Sequence, residues 1–94
     1  MPSSLHSRHY QIFRSLLVSA RQESGLTQVQ IAERLGKPQS FISKYERGER
    51  RLDLTEFIEL ADVLGIDVVD FMNRYKSAIA QITIQKAHRV KKSN

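Results

Sequence analysis

Residues 27–48 read TQVQIAERLGKPQSFISKYERG, two short amphipathic segments that meet at a glycine. In the first, Val29, Ile31, Ala32 and Leu35 recur at helical spacing, and Thr27 with Gln30 three positions later forms a capping box for the opening amides. Gly36 supplies the left-handed residue that closes such a helix, and Pro38 has the fixed φ that suits the first turn of the next. The second segment has only Ile42 and Tyr45 to bury on one side. Gln39, Ser40, Ser43, Lys44 and Arg47 are left to face away from the core.

Those outward groups are amides, hydroxyls and cations. An amide pairs bidentately with an adenine edge, Lys and Arg meet guanine acceptors, hydroxyls serve bases or phosphates, and an exposed helix fits the major groove of duplex DNA. A generic surface helix balances acid and base more evenly.

At these positions the stretch resembles the helix-turn-helix of the λ-repressor and Cro family, also called the XRE type. The resemblance rests on Thr27 and Gln28 at the opening, the small Ala32, the turn at Gly36, the pair Gln39 and Ser40, the apolar Ile42, and Glu46 followed by Gly48. It continues through GERRLDLTEFIELADVLGID at 48–67 and covers about residues 10–75. Pro38 departs from it, standing where the family more often has a Ser or Thr cap. The resemblance implies an all-α fold, a five-helix λ-repressor-like DNA-binding domain over 1–75, and gives no guidance for the C-terminal extension at 76–94. It also implies that Gln28 contacts a DNA phosphate and that Arg21 pairs with Glu46 to hold the recognition helix at a fixed angle.

Within the second helix of the motif, Gln39, Ser40 and Lys44 are the expected base readers, and Ser43 reaches base or backbone. Arg47, Arg50 and Arg51 are the expected phosphate contacts, which position a protein on the duplex while base contacts set its sequence preference. Phe41 either meets a thymine methyl or packs against a neighbouring turn.

Charge supports the reading. The 94 residues carry a net charge of +5. Basic residues gather at Arg34, Lys37, Lys44, Arg47, Arg50 and Arg51 and again from Arg74 to Lys92, whereas 53–70 holds six acids and no Lys or Arg. One basic and one acidic face suit a protein that lays one side on a polyanion, although a merely solvated surface has the same composition. Cysteine is absent, which excludes disulfides, thiolate zinc sites and a Cys nucleophile. No apolar run reaches membrane-spanning length and MPSSLHSRHY has no apolar signal segment, so a cytoplasmic protein without membrane partners is expected.

Along the rest of the chain, 1–7 reads as a loose arm. Tyr10, Phe13, Leu17 and Ala20 mark a first helix over 8–24 that ends at Gly25, and Leu26 plugs the core after it. Asp53 caps a fourth helix with Glu56 three residues on, and Leu54, Phe57, Ile58, Ala61 and Leu64 form its expected buried stripe while its acids face solvent. Gly65 ends it, and a fifth helix starts at 67–70. Beyond 76, AIAQITIQ alternates as a strand does, yet Phe71, Tyr75, Ile79 and Ile82 also share one helical face. Either form leaves apolar groups for a second copy of the chain, and the final HRVKKSN reads as a basic tail.

His6 and His9 lie one helical turn apart without a third ligand, so no metal and no cofactor are expected. No nucleophile triad, phosphate loop or paired carboxylates stand out, which argues against an enzyme. The expected function is a homodimeric, sequence-specific repressor of transcription that binds double-stranded DNA at a palindromic operator. The alternative is an antitoxin-type autoregulator that also binds a partner protein. An RNA binder lacks the aromatic platform that single strands require.

Overall fold

The computed structural model describes residues 7–92, with side chains described through 82. His6 and the end of the basic tail therefore lie outside the described residues. Five helices follow in order: α1 (Arg8–Ser24), α2 (Gln28–Leu35), α3 (Gln39–Glu46), α4 (Leu54–Leu64) and α5 (Val68–Lys92), with no strand among the described residues.

Local sequence sets the ends of these helices. Ser7 caps α1, its Oγ accepting from the Tyr10 amide at 3.0 Å. Complete capping boxes open α2 (Thr27 with Gln30) and α4 (Asp53 with Glu56). Gly36 closes α2 at φ +69°, a left-handed conformation that strains any residue bearing a Cβ. Pro38 sits one position earlier than its ring geometry favours. It is the N-cap of α3, extended at ψ 152° and without a capping side chain.

Helix α1 packs on α3, α4 and α5, and α2 packs on α3 and α4. Leu17, Ile31, Ile42, Tyr45 and Leu60 are fully buried at the centre, joined by Ala32, Leu52, Phe57 and Phe71. Phe13 is the hub of the aromatic side of this core, with ring centroids 5.4 Å from Phe57, 5.8 Å from Phe71 and 6.0 Å from Tyr75. Ile42 anchors α3 from its buried side, where truncation to Ala should destabilise by about 2–5 kcal/mol.

Of the two forms left open for the segment after 75, the described residues take the helical one: α5 runs in one helix from Val68 to Lys92. Phe71 and Tyr75, one turn apart, pack on Phe13 and commit the chain to helical spacing at that point. Leu54 and Ile58 are exposed rather than part of the buried stripe of α4, and Val29 of α2 is exposed as well. Phe57, Leu60, Ala61 and Leu64 already fill the face toward the core, and Leu54 and Ile58, four residues apart, share a strip beside it. Glu56 faces Arg50 rather than solvent.

Candidate nucleic-acid interface

The turn of residues 36–38 sets α3 across α2, and the buried side of α3 is short. Ile42, Tyr45 and Glu46 point inward, while Gln39, Ser40 and Lys44 are exposed and Ser43 is half-buried. The Ser43 hydroxyl donates back to the Ser40 carbonyl at 3.3 Å. A row of amide, hydroxyl and ammonium groups thus lies along the outer side of an exposed helix.

Glu46 is the one buried acidic residue of α3, 8 % exposed, and three side chains meet it. Arg21 donates from Nε to Oε2 at 2.6 Å and from Nη2 to Oε1 at 3.1 Å, and from Nη1 to the Leu26 carbonyl at 3.1 Å. The hydrogen bond to Glu46 raises the Arg21 pKa, so the guanidinium keeps its charge despite partial burial. Gln28, at the start of α2, donates from Nε2 to Glu46 Oε1 at 2.8 Å, and its own Oε1 accepts from Gln39 Nε2 at 3.4 Å. Arg21, Glu46, Gln28 and Gln39 are thereby brought together, although only the first pair was expected to touch.

Sequence reasoning missed Arg14. It lies two turns before Arg21 on α1, and its Nη1 donates to the Glu46 main-chain carbonyl. One arginine of α1 holds the side chain of Glu46 and another holds its backbone. Arg14 also lies against Gly48, where an added Cβ would come within 3.3 Å of Arg14 Nε, and Gly48 itself adopts φ +78°. The i, i+7 spacing of the two arginines on one face of α1 was the available signal.

The expected phosphate contacts are held by neighbours. Arg47 forms a forked pair with Glu49 at 2.9 and 3.0 Å, and this bond raises the Arg47 pKa and lowers that of Glu49. Arg50 pairs with Glu56 at 2.8 and 3.1 Å, which likewise lowers the Glu56 pKa. The Arg50 guanidinium lies 4.5 Å from the Phe41 ring centre and the Lys37 ammonium 5.0 Å from it. Phe41 itself is packed against the core and edge-on to Tyr45, so packing is its role here. Arg51 lies over the Tyr10 ring at 5.5 Å, and Tyr10 Oη accepts from the Leu52 amide at 2.8 Å, tying the loop after α3 to α1.

With this geometry established, comparison with known proteins is decisive. The HTH_3 helix-turn-helix family matches residues 17–71, from the middle of α1 into α5. The chain belongs to this family. An uncharacterized HTH-type transcriptional regulator, y4dJ, of Sinorhizobium fredii (strain NBRC 101917 / NGR234) is 38% identical over 52 residues, 55% of this chain and 68% of that protein. The solved XRE-family like protein from Pseudomonas syringae pv. tomato str. DC3000 is 40% identical, covers 80% of this chain and 92% of its own, and superimposes with a TM-score of 0.74. The restriction-modification controller protein C.Esp1396I, solved as a tetramer with its natural 35 base-pair operator, shares the fold at 23% identity and a TM-score of 0.71, over 80% of this chain and 99% of that one. The protein is thus an XRE-type helix-turn-helix transcriptional regulator that binds DNA. No described helix is long and apolar enough to cross a membrane.

Proposed function

We infer that this regulator is a homodimeric repressor that occupies a two-fold symmetric operator, each α3 entering one of two successive major grooves about 34 Å apart. Gln39, Ser40, Ser43 and Lys44 meet base edges, and Gln28, Arg47, Arg50 and Arg51 meet phosphates. Repression follows from occlusion of the promoter, and a protein acting on DNA in this way works in the cytoplasm. The observation that carries the reading is the division of α3 into an inner side of Ile42, Tyr45 and Glu46 and an exposed side of Gln39, Ser40 and Lys44. Arg47 and Arg50 start from ion pairs, so a phosphate replaces Glu49 or Glu56 as their partner rather than meeting a free cation.

Two copies are favoured by apolar side chains left outside the core. Leu54 and Val69 are each 71% exposed, and Ile58 and Met72 are exposed too. Leu54 and Met72 line one cavity of about 290 Å³ with Tyr10, Phe13 and Tyr75. Covering this surface with a second copy removes apolar area from water at about 25 cal/mol per Å². The antitoxin-type alternative keeps the DNA-binding domain and gives the terminal segment, 76–94, to a different chain; a stable complex with such a chain would favour it.

Selection of bound duplexes from a random library tests the proposal. An inverted repeat bound by two protomers is the expected result. A pool without preferred sequence would refute base reading, and a single unrepeated half-site would refute the dimer.

A further inference from the structure

The hydrogen bonds around Glu46 form a directed chain that ends on the outer side of α3. Glu46 receives Arg21 on both oxygens and Gln28 Nε2 on Oε1, and Gln28 Oε1 then receives Gln39 Nε2. Each link has a polarity fixed by chemistry. A carboxylate paired with a guanidinium only accepts, so Gln28 must turn its NH2 group toward Glu46. Its carbonyl oxygen then faces Gln39 and also only accepts, so Gln39 must offer an N–H. That leaves Gln39 with its second N–H and its Oε1.

The geometry points to Glu46 as a specificity-determining positioning residue which, through Gln28, sets which edge of the Gln39 amide donates and which accepts. This rests on the reading of Gln39 as a base contact. An unconstrained side-chain amide has two flips that exchange its donor and acceptor. The matching target is the major-groove edge of adenine, where the N7 acceptor and the N6 donor lie side by side. A flipped amide sets donor against donor and acceptor against acceptor. Glu46 is 8 % exposed and Gln28 half-buried, so the two that impose polarity are sheltered while Gln39 is exposed to meet the base.

The test is the base preference at every position of a selected site, measured by competition among single-substitution duplexes, for the wild type, Gln39→Ala, Gln28→Met and Glu46→Gln. Gln39→Ala should abolish preference at one base pair. Gln28→Met keeps the pair of Arg21 with Glu46, and with it the fold. It should lower preference at that same base pair on the order of tenfold, with the other positions unchanged. Its lost phosphate contact weakens all duplexes alike and cancels in the ratio between bases. Glu46→Gln should act at the same position, because a carboxamide presents both donor and acceptor to Gln28. In the Gln39→Ala background, Gln28→Met should change that position no further. If Gln28→Met retains the wild-type preference there while Gln39→Ala removes it, the relay is overturned and Gln39 remains a base reader. If Gln39→Ala weakens every duplex equally, both assignments fall.

Discussion

Arg21, one turn from the end of α1, holds both carboxylate oxygens of Glu46 at the end of α3, 25 residues later, at 2.6 and 3.1 Å. The Glu46 side chain is 7% exposed and that of Arg21 17%, so the two halves of the pair respond differently to removal of the other. Arg21→Ala leaves a nearly buried carboxylate with one amide partner and should destabilise by about 3 kcal/mol, toward the range for broken buried pairs. Glu46→Ala leaves a guanidinium that still bonds the Leu26 carbonyl and lies nearer to water, and should destabilise by about 2 kcal/mol. Urea unfolding checks the order, and an Arg21→Ala variant as stable as the wild type would refute the assignment.

Gly48 and Gly36 both have positive φ, 78° and 69°, but differ in surroundings. At Gly36 an added Cβ meets nothing within 4 Å, so Gly36→Ala should carry only the left-handed backbone strain, about 1–2 kcal/mol. At Gly48 the methyl also presses on Arg14 Nε, which is fixed because Arg14 holds the Glu46 carbonyl. Gly48→Ala should therefore have the lower melting temperature of the two, and equal melting temperatures would argue that Arg14 yields freely.

Acid should weaken the fold through Glu56. Its hydrogen bond with Arg50 holds its pKa below the usual carboxylate value, which is about 4.3 in unfolded chains. A group depressed in the folded state contributes stability that is fully present above the unfolded value and is lost as pH falls through the folded one. Glu56→Gln keeps an oxygen able to accept from the Asp53 amide in the capping box and removes the charge. At neutral pH it should destabilise by under about 1 kcal/mol, since Arg50 is substantially exposed. The difference from the wild type should shrink as pH falls below about 4. Urea midpoints between pH 7 and pH 3 measure it, and a difference that grows with acid would reverse the sign.

Most of the fold was legible because it rests on local chemistry. Thr27 with Gln30, Asp53 with Glu56, and the glycines at 25, 36 and 65 announce helix ends whatever the tertiary structure. Leu54 and Ile58 misled because a helical stripe read from sequence does not say how wide the facing surface is, and Phe57, Leu60 and Ala61 already occupy it. The outward residues of α3 were legible from periodicity. What holds them was not, because Arg14, Gln28 and Glu46 meet only after α1, α2 and α3 have packed. Glu56 was legible as a cap, but its pairing with Arg50 depends on the path of the loop that precedes α4.

Dimerisation through α4 and α5 predicts that charge on their exposed apolar strip separates the protomers. Leu54→Glu and Met72→Glu change side chains that are already exposed, so the fold of the monomer should be little affected. Light scattering should report a shift toward monomer. Affinity for an operator with two half-sites should fall far more than affinity for a single half-site, because only the former gains from linkage between protomers. An unchanged mass would move the interface to the later part of α5.

Base and phosphate contacts differ in how their loss is distributed over sequences. Lys44 is exposed on the outer side of α3, so Lys44→Ala should reduce preference at one base pair by about 1–3 kcal/mol and leave the others in place. Arg50→Ala should weaken all duplexes alike and reduce the slope of log K against log salt by up to about 0.9. The ion pair with Glu56 adds an independent check on this distinction. Glu56→Gln releases the Arg50 guanidinium for phosphate, so it should raise affinity for every duplex, and should lose that effect when combined with Arg50→Ala. Fluorescence anisotropy over a salt series measures all four proteins. A sequence-dependent loss in Arg50→Ala would transfer it to the base readers, and a uniform loss in Lys44→Ala would transfer that residue to the backbone contacts.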